Sequence, residues 1–213
     1  MQLERAQGPP YNLTDRTIAN ADEKGFLIGI PWRHNVIVFR VGWEDNEGGS
    51  GKATVPQDGN RELITVIDCI VADGTVLPPY IIMKGVRPSF AWAKDSLLEK
   101  ATFAASPDGW VDSELFLDWM QRVYEPSTRD RAGENWRGLI YDQHKTHINY
   151  EIIKFALNHK ILCIGLPPKT SGISQPLDVS CFRPLQQAYG RAVDEETRGA
   201  VAIAKQDFPR YVG

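Results

Sequence analysis

Two periodicities divide the chain. Arg61–Val71 (RELITVIDCIV) is a near-continuous run rich in Ile and Val, which predicts a strand. Ala72-Asp73-Gly74 then offers a turn, and Thr75–Lys84 returns as the partner strand of a hairpin. Pro78 and Pro79 interrupt that partner, and proline donates nothing to a ladder, so this strand is expected on a sheet edge. Leu139-Ile140-Tyr141 predicts a strand ending on Asp142; Asn149–Asn158 has helical spacing of Ile152, Phe155 and Ala156; Ile161–Leu166 is a further strand, stopped by Pro167-Pro168. Ser113–Tyr124 is an amphipathic helix capped by Asp112 or Ser113, with Phe116, Trp119, Met120 and Val123 at i, i+3, i+4 and i+7.

The remaining segments are weaker. Thr17–Ala21 is a short strand with Asp22 and Glu23 at its end, before a turn at Gly25. Val36–Gly42 predicts a strand and Glu44–Asn60 an exposed, Gly-rich loop. Gly85–Ala105 is mixed, with Trp92 and Phe103 expected over the sheet, and Glu125–Arg137 is a charged connection. Beyond Asp178 a helix is expected, with Pro184 near its first turn. A hairpin followed by strand, helix and strand predicts an α/β fold with one mixed sheet flanked by helices. Carboxylates just past the ends of its strands stand where sites form in such sheets.

Composition narrows the class. The 213 residues are 42% hydrophobic, enough for one domain with a sizeable core. No run reaches the length of a membrane span, and MQLERAQGPP has no apolar signal core, so no membrane partner is expected. Cys69, Cys163 and Cys181 are scattered, which fits reduced thiols in the cytoplasm or nucleus better than disulfides or zinc. The net charge of −3 lacks the basic surplus usual in nucleic-acid binders. Between Asp142 and Arg191, however, six basic residues face three acidic ones, and two of those three are candidate site residues.

Three blocks carry a resemblance: Asn20-x-Asp22-Glu23-x-Gly25-Phe26, then YDQHKTH (141–147), then LPPKTSGISQPLDV (166–179). Together they resemble the catalytic core of the pogo-type DDE transposases, of the mariner superfamily and its fungal Fot-like relatives. The 35 residues between Asp142 and Asp178 match fungal members. Gly59-Asn60-Arg61-Glu62, Ala72-Asp73-Gly74 and Leu77-Pro78-Pro79 repeat family wording as well, so the likeness runs from about Thr17 onward.

That resemblance implies an RNase-H-like fold with Asp22 and Asp142 on neighbouring central strands and Asp178 nearby. It implies that the three aspartates are catalytic and hold two Mg²⁺ or Mn²⁺ ions, since hard divalent cations take carboxylate oxygens and can serve both the attacking and the leaving oxygen. The implied activity is metal-dependent cleavage and strand transfer of DNA in the nucleus. Glu23, His144 and His147 are candidates for supporting the metal ligands or the scissile phosphate, and Lys169, Thr170 and Ser171 for phosphate contacts. Each has a plain alternative: a structural hydrogen bond for the histidines, a solvated loop for 169–171, an exposed or structural carboxylate for Glu23. An aspartate at a strand end is, taken alone, usually a turn or cap residue.

The chain departs from the family at Gln143, Lys169, Gly172 and Gln186, none of them a proposed metal ligand. No helix-turn-helix pattern precedes Thr17, so the expectation is a single core over 1–213, short of the family at both ends, with end recognition left to a homodimer or another partner. The alternative is a decayed or domesticated descendant that binds nucleic acid or protein without catalysis.

Overall fold

In the computed structural model, residues 8, 10–28, 62–89, 92, 100–142, 149–167, 174–197 and 205–210 are described. The expected strand at Val36–Gly42 and loop at Glu44–Asn60 lie outside them. Six strands form one sheet in the order β4-β3-β2-β1-β5-β6: β1 Ile18–Ile28, β2 Glu62–Val71, β3 Tyr80–Lys84, β4 Thr102–Ser106, β5 Arg137–Asp142 and β6 Ile161–Leu166. The β1–β2 and β2–β3 pairs are antiparallel, and the β3–β4, β1–β5 and β5–β6 pairs are parallel. The sheet is mixed and flanked by helices, as the sequence led us to expect.

Alternation assigns the two faces. Ala19 and Ala21 of β1, Ile67, Cys69 and Val71 of β2, and Leu139 and Tyr141 of β5 pack on one face. They meet α1 (Ser113–Trp119) through Phe116 and Trp119, and α3 (Tyr150–Asn158) through Ile152 and Ala156. Asp112 caps α1 by accepting from the Leu115 N–H at 2.8 Å, and Asn149 caps α3 through the Ile152 N–H at 2.8 Å.

Among the described residues, the opposite face holds two separate apolar clusters. One joins Phe26, Ile28, Ile64, Val66, Ile81 and Met83 to Trp92, Tyr189 and Phe208. The other joins Ile140 and Ile164 to Leu13. Tyr189 belongs to α4 (Phe182–Thr197) and Phe208 to a 3₁₀ turn (Lys205–Arg210). Their rings lie 5.1 and 5.3 Å from Phe26, which docks the C-terminal part of the described chain onto β1 and β2.

Three expectations need correction. The strand containing Pro78-Pro79 begins only at Tyr80 and is not an edge, because β4 pairs along its outer side. The prolines sit just before the ladder, where Pro79 O accepts from the Thr102 N–H at 3.0 Å and no donor is required of them. Glu125–Arg137 is not a plain connection. Helix α1 continues through a π-helical turn (Met120–Tyr124) into α2 (Glu125–Ala132), where Glu125 pairs with Arg129 one turn later at 2.5 Å and with Arg137 at 3.5 Å. Finally, Asp22 and Glu23 do not close a strand. Strand β1 runs on through Gly25 to Ile28, held by its pairing with β2.

Candidate functional site

The gap between the two apolar clusters is where the polar residues of β1 fall. On that face β1 presents Asn20, Asp22 and Lys24 before Phe26 and Ile28 take over. Asp68 of β2 stands directly opposite Asp22 in the antiparallel register and therefore shares its face. The parallel pairing of β1 with β5 ends at Asn20↔Ile140. Two residues farther along the strands come Asp22 and Asp142, the latter at the C-terminus of β5 opposite Leu166. A crevice beyond the last paired residues of adjacent parallel strands is the usual ligand position in such sheets.

Asp178 reaches this face from a π-helical turn, Leu177–Cys181, that leads into α4. Two buried amides fix the turn. Asn20 Nδ2 donates to Gln175 Oε1 at 3.0 Å and to Ile140 O at 3.2 Å. Gln175 Nε2 donates to Ala21 O at 3.0 Å, and Asn20 Oδ1 accepts from the Leu177 N–H at 3.2 Å. The last of these satisfies a helix-start donor that would otherwise be buried without a partner. Asn20 and Gln175 thus tie β1, β5 and the turn together at one point, on the edge of the polar gap.

Electrostatics mark Asp22. Burial, followed by the charges of Asp178 and then Glu23, raises its pKa from 3.8 to about 7, against weaker lowering by hydrogen bonds from the Glu23 backbone and Gln175. Among the described residues, its Oδ2 is buried and has no hydrogen-bond partner. Burial alone raises Asp68 to about 6. Lys24 lies 3.9 Å from Asp178 Oδ1. A desolvated carboxylate beside a second one, with an oxygen left over, has the hard-donor chemistry that suits a divalent cation.

The candidate residues do not all gather. Asp22 and Asp178 are brought together, and Asp142 shares their sheet face on the adjoining strand. Among the described residues, no three Asp, Glu, His or Cys side chains stand close enough to enclose a metal ion. The Glu23 side chain follows the alternation to the opposite face and acts on Asp22 through its charge, while its backbone supplies a hydrogen bond. His144, His147, Lys169, Thr170 and Ser171 lie outside the described residues. Asp68 and the structural roles of Asn20 and Gln175 escaped the sequence reading. Asp68 could have been found as the acid in the interior of the Ile/Val run of β2, a residue with no reason to be there on packing grounds.

Comparison with known proteins identifies the family and the fold. Residues 60–203 match the family model described as DDE superfamily endonuclease. The chain is 29% identical over 185 residues to a Cochliobolus lunatus protein named MFS-type transporter clz9, covering 86% of this chain and 19% of that protein. It is 29% identical over 133 residues to the human pogo transposable element with ZNF domain, covering 62% of this chain and 9% of that protein. Among solved structures it resembles the Mos1 mariner paired-end complex with Mn (TM-score 0.56) and the Mos1 transposase paired-end complex with left transposon end (TM-score 0.52). Each of these two is 11% identical, covering 99% of this chain and 55% of the solved one. At that identity the likeness concerns the fold, which is therefore that of the RNase-H-like transposase catalytic domain. The chain spans a fifth or less of the two curated relatives. No helix among the described residues is long and apolar enough to cross a membrane.

Proposed function

The chain belongs to the DDE superfamily endonucleases, and from that premise we propose that it is a transposase-type catalytic core that cleaves DNA and transfers the cut strand with divalent metal. The observation that carries this reading is Asp22 Oδ2, buried beside Asp178 and unpartnered among the described residues. Asp22, Asp142 and Asp178 would hold the metal. Two Mg²⁺ or Mn²⁺ ions bound there would activate an attacking oxygen and neutralise a leaving one.

The chain's own residues do the positioning. Asn20 and Gln175 hold the Asp178 turn against β1, so the separation of the carboxylates is set by buried hydrogen bonds. Asp22, whose pKa is raised to about 7, would have to give up its proton to hold a cation, so metal affinity would rise with pH. The histidines and the 169–171 segment are proposed as phosphate or supporting contacts. DNA is the partner under this reading, a homodimer its assembly and the nucleus its site of action. The Mn in one Mos1 complex and the transposon end in the other are properties of those proteins that make the same chemistry reasonable here.

The test is nicking of supercoiled DNA by purified protein in Mg²⁺ or Mn²⁺, with Asp142→Asn beside it. Metal-dependent nicking that disappears in the variant supports the assignment. Equal nicking by both proteins, each pure, ends it.

A further inference from the structure

Lys24 stands two residues beyond Asp22 on β1, on the same face. Its side chain is about 25% exposed, and its ammonium sits 3.9 Å from Asp178 Oδ1 and 5.3 Å from the centroid of the Phe182 ring. Both partners belong to the segment that brings Asp178 to the site, one in the π-helical turn and one opening α4. Phe182 is 1% exposed, so the ring face that Lys24 covers is part of the core and fixes where the ammonium can lie. We propose that Lys24 is a built-in counter-cation of this site: its ammonium holds the Asp178 carboxylate while no metal is bound and gives up that oxygen when a divalent cation enters.

The inference rests on the metal-binding reading above and adds a positioning residue to it. Asp22 and Asp178 carry the same charge and raise each other's energy when both are ionised. A cation pinned against one of them reduces that repulsion and keeps the turn seated. The same ammonium competes for the oxygen a metal would use and repels the incoming ion. Lys24 therefore acts with opposite signs: it favours the metal-free fold and disfavours metal binding. A lysine with only a packing role would change stability equally with and without metal.

The experiment is thermal melting of wild type, Lys24→Met and Lys24→Arg across a Mn²⁺ titration. Methionine keeps the unbranched stem over Phe182 and removes the charge; arginine keeps the charge. For Lys24→Met the expected result is a lower metal-free Tm together with a Mn²⁺ midpoint reduced on the order of tenfold, from the Coulomb repulsion lost at about 5 Å after salt screening. Lys24→Arg should follow the wild type. A Lys24→Met protein whose Tm falls equally at every Mn²⁺ concentration, with an unchanged midpoint, overturns the counter-cation role and leaves the metal site standing. A wild type that shows no response to Mn²⁺ removes the metal site and this role together.

Discussion

Asn20 and Gln175, 155 positions apart, hydrogen-bond side chain to side chain at 3.0 Å, and both are buried. Between them they also engage Ile140 O, Ala21 O and the Leu177 N–H. Neither residue is needed to hold a metal; their work is to make a strand interior and a distant turn into one rigid object.

Asn20→Ala should therefore cost at least about 2 kcal/mol, since each orphaned buried group costs about 1–3 kcal/mol. Urea unfolding of Asn20→Ala, Gln175→Ala and the double variant measures it. The double variant should lose clearly less than the two singles added, because they break one shared network. Strict additivity would mean the two amides act separately.

Gly109 predicts a backbone effect. It sits at φ +86, and a Cβ there would lie 2.3 Å from Leu63 O. Its N–H donates to Ser106 Oγ at the end of β4 at 2.9 Å and its carbonyl accepts from Thr65 Oγ1 of β2 at 2.7 Å, so the loop cannot back away from β2 without breaking the Thr65 bond. Gly109→Ala should cost more than about 2 kcal/mol, combining clash with left-handed strain of about 1–2 kcal/mol. Gly133 is the control, with φ +54 but open space around it. Gly133→Ala should cost only about the strain term, and equal losses at the two positions would contradict the clash.

Arg137 and Glu125 are both almost fully buried and lie 3.5 Å apart. Arg137 also donates to Glu125 O at 3.0 Å and to Thr128 Oγ1 at 3.1 Å. Glu125→Gln should cost about 3–5 kcal/mol, because it leaves a buried guanidinium without its countercharge. The hydrogen bond from Arg129, more than any other influence, holds the Glu125 carboxyl below its ordinary pKa. A depressed acid contributes stability above its unfolded pKa and loses it as pH falls through the folded one. Acid unfolding of Glu125→Gln should accordingly be shallower than that of the wild type.

The sequence was most readable where one physical demand acted alone. The Ile/Val run of β2, the Asp112 cap and the apolar spacing in α1 and α3 each follow from local rules, and each was found in place. Local rules failed where a distant partner decided. Asp22-Glu23 before Gly25 has the composition of a turn, yet β2 pairs with it residue for residue and keeps it extended. Glu125–Ala132 has no apolar stripe and so gave no helical signal; buried pairing of Glu125 and Arg137 supplies what the stripe would have. Strand β4 (TFAAS) is too short and weakly patterned to be recognised before β3 is there to receive it. At the site, the aspartate blocks were legible through resemblance, while Asp68 became visible only through its register opposite Asp22.

Asp22 itself ties stability to function. Its pKa, near 7 in the fold against 3.8 ordinarily, means that the native state binds more protons than the unfolded chain between about pH 4 and pH 7. By linkage, stability then falls as pH rises through that window, and the full destabilisation is present above it. Asp68, raised to about 6, acts in the same direction over the lower part of the window. Asp22→Asn should leave stability near pH 4 almost unchanged and raise it at pH 8 by at most about 4 kcal/mol, the equivalent of three pKa units. Solvent access to the site will reduce that gain. The same variant should lose the Mn²⁺ response: ligand at 100 times its Kd adds about 2.7 kcal/mol to a protein that binds it, and nothing to one that does not. A pH series of urea midpoints, with and without Mn²⁺, reads both effects. A protein made more stable at pH 8 and blind to metal would show that the wild type keeps an unfavourable buried charge because a cation needs it. An Asp22→Asn protein that is less stable at pH 8 would instead make Asp22 a structural carboxylate and remove it from the site.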